Sequence, residues 1–183
     1  MIPKSGNRFS EKIMLNQETN RMSRLFKTFA AALACLALAA GAHAQGVISE
    51  RNVSLQLART IADTVLQCPT EGGISVAVVD RAGQLRVLLR SDGAPPTGIE
   101  LARRKAYTAR VFRRPSSEWA KRTETGLAGQ RMLADVIPLG GGLPIQVGND
   151  TIGAVGVSGA SGGQESDDNC AKAALAKVAD QLK

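Results

Sequence analysis

The chain has 183 residues with 23 basic and 16 acidic side chains, a formal charge of +7, and 3% aromatic residues. Residues 1–44 hold six of the basic and two of the acidic residues; without them 17 basic face 14 acidic residues, a net +3, which gives no reason to expect a nucleic-acid partner. Beyond residue 44 no apolar run approaches the roughly 20 residues needed to span a bilayer.

The N-terminal segment reads as an address. Arg24 and Lys27 form a basic patch, Phe29 to Ala40 is an uncharged apolar run of twelve residues, and Ala42-His43-Ala44 is a small-x-small pattern. Together they predict a secretory signal over 22–44, a periplasmic or secreted location, and no membrane span after cleavage. Residues 1–21 are polar and mixed in charge; they read as a non-native or unstructured extension, with Met22 as the natural start. The remaining 139 residues, 45–183, suit one domain with its own core. Cys35 would leave with the signal; Cys68 and Cys170 remain, and in an oxidising compartment they are expected to bridge, two buried free thiols being the alternative.

Ser49 to Leu66 carries Val53, Leu57, Ile61 and Val65 at four-residue steps, which predicts a helix capped by Ser49, Asn52 or Ser54. Ile74–Asp80 and Leu85–Arg90 read as a hairpin across the turn Arg81-Ala-Gly-Gln84. Thr97 with Glu100 suggests a capping box opening a helix that runs to Val111 or Phe112. Ser116 to Leu133 looks like mixed short helix and loop. Three strands are then expected, at Val136–Leu139, Leu143–Val147 and Thr151–Ser158, the last central because nearly every residue is apolar. A final helix begins near Asp167 and Asp168, where carboxylates suit the dipole. Five strands joined mostly by tight turns, with helices on the sheet, make an α+β layer architecture.

The sole histidine, His43, lies in the leader. Without it a Ser-His-Asp triad, a Cys-His pair and His-ligated zinc are excluded from the remainder of the chain. Gly140-Gly-Gly142 lacks the Lys-Ser/Thr ending of a phosphate loop and precedes a strand; it reads as a turn, although its backbone would admit a flat ligand closely. Arg103, Arg104, Lys105, Arg110, Arg113, Arg114, Lys121 and Arg122 crowd one helix and its exit. They form either a solvated face or a site for a small planar or anionic ligand, since guanidinium groups take carboxylates in a bidentate fork. Tyr107 and Trp119 are stacking groups or core residues. Asp167 and Asp168 dress the helix start or contribute to a pocket.

Five short motifs occur in order: Ser75-Val-Ala-Val-Val-Asp80 with Gly83; Arg90-Ser-Asp-Gly-Ala94; Arg104-Lys-Ala-Tyr-Thr-Ala109; Gly140-Gly-Gly-Leu-Pro-Ile145; and Gly153-Ala-Val-Gly-Val-Ser-Gly159 followed by Asp167-Asp-Asn-Cys-Ala171. Over nearly the whole chain beyond the leader this pattern resembles the GlcG/HbpS haem-binding family. The resemblance implies a profilin-like fold with a central antiparallel five-stranded sheet flanked by helices. It also implies a homo-oligomer, haem as cofactor, and a role in haem scavenging, degradation or redox sensing. It places the ligand at Arg104, Lys105, Tyr107, Thr108, Arg113, Gly141 and Gly142, with Tyr107 or Thr108 as the oxygen ligand to haem iron and the arginines on the propionates. Tyrosine has precedent as a haem ligand; the missing histidine departs from relatives thought to ligate through imidazole. Two other functions stand beside this one: a binder or enzyme for a small carboxylate metabolite, and an oligomeric structural or sensory module without a ligand.

Overall fold

The computed structural model describes Arg21 and residues 46–183; the expected leader lies outside the described residues. Glu50–Lys183 forms one compact unit. Among the described residues no helix is long and apolar enough to cross a membrane.

Helix α1 spans Leu55–Val65, and the Ser54 hydroxyl accepts from the Leu57 amide at 3.1 Å, which settles the cap. Its stripe of Leu57, Ala58, Ile61, Ala62 and Val65 is buried. Strands β1, Ser75–Asp80, and β2, Leu85–Arg90, form the expected hairpin. The Asp80 carboxylate fixes the turn by accepting from the amides of Ala82 and Gln84, both at 2.9 Å.

Helix α2 spans Pro96–Phe112 and carries no side-chain cap, its N-cap being Pro95. The expected Thr97 capping box does not form: Pro96, with its φ already helical, starts the helix earlier, and Glu100 pairs with Arg103 at 2.8 Å instead. Helix α3 is Ser116–Arg122, and a 3₁₀ turn covers Ala128–Met132, the mixed segment read from the sequence. Strands β3, Gly142–Val147, and β4, Asp150–Ser158, make the second hairpin. Helix α4, Gln164–Lys177, begins three residues before the expected start.

The sheet has four strands in the order β2-β1-β4-β3, all antiparallel. The expected five-stranded profilin-like sheet is therefore incorrect: the fold is α+β with a four-stranded antiparallel sheet flanked by helices. Val136–Leu139 is not a strand. Its backbone partners are helix side chains, because the Ile137 amide donates to Thr108 Oγ1 at 2.9 Å and the Val136 carbonyl accepts from the Arg104 guanidinium. A β-branched run can meet its hydrogen-bond needs that way without a neighbouring strand.

Both faces of the sheet are covered. Val76, Val78, Val155 and Val157 share one apolar cluster with α1 and α4. Ala77, Val79 and Ala154 share a second with Ala102, Ala106 and Ala109 of α2. Cys68, just past α1, and Cys170 in α4 form a disulfide with their Cα atoms 6.1 Å apart, which ties the two helices on the first face together.

Candidate functional site

Helix α2 carries most of the expected site residues, and its rotation sorts them into three places. Gly98, Ala102, Lys105, Ala106, Thr108 and Ala109 are buried. The helix lies very close to the sheet because Gly142 and Gly156 face each other across β3 and β4. A Cβ on Gly156 would overlap the Ala102 carbonyl, and one on Gly142 would overlap the carbonyl of Lys105.

The first place is inside. Lys105 is 2% exposed and Asp167 4%. Lys105 Nζ donates to Asp167 Oδ2 at 2.7 Å and to the Val157 carbonyl at 3.0 Å. The other carboxylate oxygen accepts from the amides of Gly159 and Ala160 at 3.1 and 3.0 Å. The glycine loop closes over this pair. Gly140, Gly141 and Gly142 give their amides to Gln164 Oε1, Asp168 Oδ1 and Ser116 Oγ at 2.6, 2.6 and 2.8 Å. A Cβ on Gly141 would stand 3.0 Å from Lys105 Nζ. Lys105, Gly141 and Gly142, which the sequence reading put in one ligand site, do lie side by side, but their polar atoms point at the protein. The buried small residues on either side of Lys105 were the signal that it faces inward.

The second place is the flank toward residues 136–137. Thr108 is fully buried; its hydroxyl donates to the Arg104 carbonyl at 2.8 Å and receives the Ile137 amide. Arg104 fastens the Val136 carbonyl, while its Nε is buried without a partner. Arg103 donates to Asp135 at 2.6 Å as well as to Glu100. These bonds hold the Arg103 guanidinium above its usual range and the Glu100 carboxyl below its own. Trp119 belongs to the core: it is 2% exposed, stacks on Phe112 with ring centroids 4.7 Å apart, and donates to Gln130 at 3.2 Å.

The third place is the end of the sheet where the β1–β2 hairpin meets the last turn of α2. Tyr107 is half-buried, and its ring lies over Gly83, where a Cβ would stand 2.9 Å from Cε2. Gly83 has φ +79°, so it serves both the turn and the close approach. Arg110 lies one turn beyond Tyr107, half-buried, with its Nε buried and unpartnered. Burial, then repulsion from Arg113 and Arg81, pushes the Arg110 guanidinium below its usual range; Asp150 and Asp80 act the other way. Arg113 is exposed and ends the helix in the left-handed region, φ 53°. Sequence reading placed Arg110 in the basic cluster but not in the site, although its three-residue spacing from Tyr107 puts both on one helix side.

Among the described residues no group of three or more His, Cys, Asp or Glu side chains could hold a metal ion. A separate cleft of about 270 Å³ lies at the disulfide, lined by Cys68, Pro69, Ala160, Ser166, Asn169 and Ala173 among others, with no charged group. The hairpin end thus joins a half-buried aromatic ring to the Arg110 guanidinium, which has an unpartnered Nε, and to exposed Arg113, a pairing suited to a partly apolar anion.

Comparison with known proteins agrees with the motif reading. The chain is 37% identical over 85 residues to the protein GlcG of Escherichia coli K12, covering 46% of this chain and 63% of GlcG. The crystal structure of a double mutant of Streptomyces reticuli HbpS superposes with a TM-score of 0.68 at 29% identity, covering 75% of this chain and 94% of HbpS. A crystal structure of a PduOC–haem complex matches with a TM-score of 0.56 at 29% identity, covering 66% of this chain and 88% of that one. The family model described as haem degrading protein HbpS-like matches residues 53–176, so the chain belongs to the HbpS-like family.

Proposed function

We propose that the protein is an exported haem- or tetrapyrrole-binding protein whose ligand lies on the outward side of α2 at the hairpin end of the sheet. The observation that carries this reading is the half-buried Tyr107 ring one turn from the partnerless Arg110 Nε. Family membership and the haem complex of PduOC support it. Tyr107 would supply the oxygen ligand and Arg113 a cation for a propionate, whereas the Arg104 guanidinium is already held by the Val136 carbonyl. Thr108 is the weaker of the two ligand candidates, because its hydroxyl already has a donor and an acceptor inside the protein. Lys105, Gly141 and Gly142 would support the site from behind. Bound haem would contribute iron redox chemistry, which the side chains here lack.

Export follows from the basic, apolar and small-residue pattern at 22–44; mature protein beginning near residue 45 is the expected mass-spectrometric result, and retention of the leader would count against it. A homo-oligomer is supported by exposed Leu127, Met132 and Leu133.

Titration of the purified protein with haemin, followed at the Soret band, tests the binding. Saturable binding is expected, with Tyr107→Phe shifting the band and weakening affinity about tenfold or more. No saturable change, or identical spectra for wild type and Tyr107→Phe, would remove Tyr107 from the site. Light scattering on the same samples reports assembly, and a monomer at all concentrations would exclude the oligomer.

A further inference from the structure

We infer that Arg110 anchors a carboxylate-binding site at the hairpin end of the sheet, with Tyr107 one turn before it and Arg113 just past the helix end. This rests on the reading of that surface as the ligand face, and it adds a residue and a chemical group. The ion pairs around it are the starting point. Arg81 donates to Asp150 at 2.7 Å and pairs with Glu50 at 3.3 Å. Arg86 pairs with Asp80 at 3.1 Å, and Arg51 with Asp150 at 3.8 Å. The carboxylates Glu50, Asp80 and Asp150 are thereby committed to Arg51, Arg81 and Arg86. None of the ion pairs among the described residues includes Arg110 or Arg113.

Arg110 is also short of hydrogen bonds, since its buried Nε meets neither protein acceptor nor solvent. A guanidinium presents its donors in a planar fork, and a carboxylate matches that fork with two parallel bonds. An arriving carboxylate would meet the terminal nitrogens of this half-buried guanidinium, which make no ion pair among the described residues, and would offset the mutual repulsion of Arg110, Arg113 and Arg81. The Tyr107 ring gives such a ligand an apolar wall beside the charge. Two sources carry this chemistry: a propionate of haem, or a free small carboxylic acid.

Full-length protein is titrated with haemin, with haemin dimethyl ester, which has no free carboxylate, and with succinate, in wild type, Arg110→Gln and Arg110→Lys. If haem is the source, Arg110→Gln weakens haemin binding about tenfold to a hundredfold, leaves the ester unaffected, and Arg110→Lys recovers part of the loss. If haemin does not bind the wild type, the haem reading fails and succinate decides: calorimetric binding that disappears in Arg110→Gln supports the carboxylate site. Equal haemin affinity in wild type and Arg110→Gln overturns the inference. So does a haemin-free wild type that also ignores succinate.

Discussion

Lys105 stands in a run of cations, Arg103-Arg-Lys105, and by sequence looks like one more ligand-facing charge. Its ammonium is instead among the most buried polar groups described, locked between Asp167 and the Val157 carbonyl. Removing one partner of such a pair strands the other charge away from water. Lys105→Met is therefore expected to cost about 3–5 kcal/mol, read as a lower urea midpoint. Lys105→Met combined with Asp167→Asn should recover part of that loss, since asparagine still offers an oxygen to the amides of Gly159 and Ala160. A double variant no more stable than the single one would refute the pairing as the cause. Composition of the run could not reveal this inward turn; the small residues at 98, 102, 106 and 109 could have. Arg110 was hidden for the opposite reason, because a guanidinium shows its lack of a partner only once its neighbours' partners are known.

Elements with a strong local signature were legible. Helix α1, the β1–β2 hairpin and β4 follow from apolar spacing and turn residues, and their observed bounds differ from expectation by a few residues at most, apart from the α1 start. The segment 136–139 was not, because what satisfies its backbone is Thr108 and Arg104, about 30 residues earlier. Pro138 was the one local signal against a strand, since proline donates nothing to a ladder. The run Gly140-Gly-Gly142 was read as a turn whose backbone would admit a flat ligand; Gly142, with Gly156 of β4, is instead room for α2 itself. Gly156→Ala should accordingly push α2 off the sheet and lower stability by about 1–3 kcal/mol or more, measured by thermal unfolding. Gly148→Ala, which meets nothing within 4 Å but sits at φ +60°, should cost less than Gly156→Ala. Equal losses at the two positions would argue against the tight helix–sheet contact.

At the scale of the whole molecule, membership of the HbpS-like family was legible from the order of short motifs, and the strand count was not. The Cys68–Cys170 bridge was legible by counting cysteines, and its 102-residue separation encloses the whole sheet together with α2 and α3. In the chain-entropy description a loop of that size contributes about 4–5 kcal/mol. It also makes most of the domain a covalent ring, from which α1 and the end of α4 emerge as tails. A ring survives one break. Lys121 and Arg122 are exposed beside the loop that follows α3, so brief trypsin treatment is expected to cut there and leave a single band on a non-reducing gel. The same sample should separate into two fragments once thiol is added; separation without thiol would mean that the ring was never closed. A protein built this way can be nicked in its most accessible loop and still keep both pieces, with the Tyr107–Arg110 surface on one side of the cut.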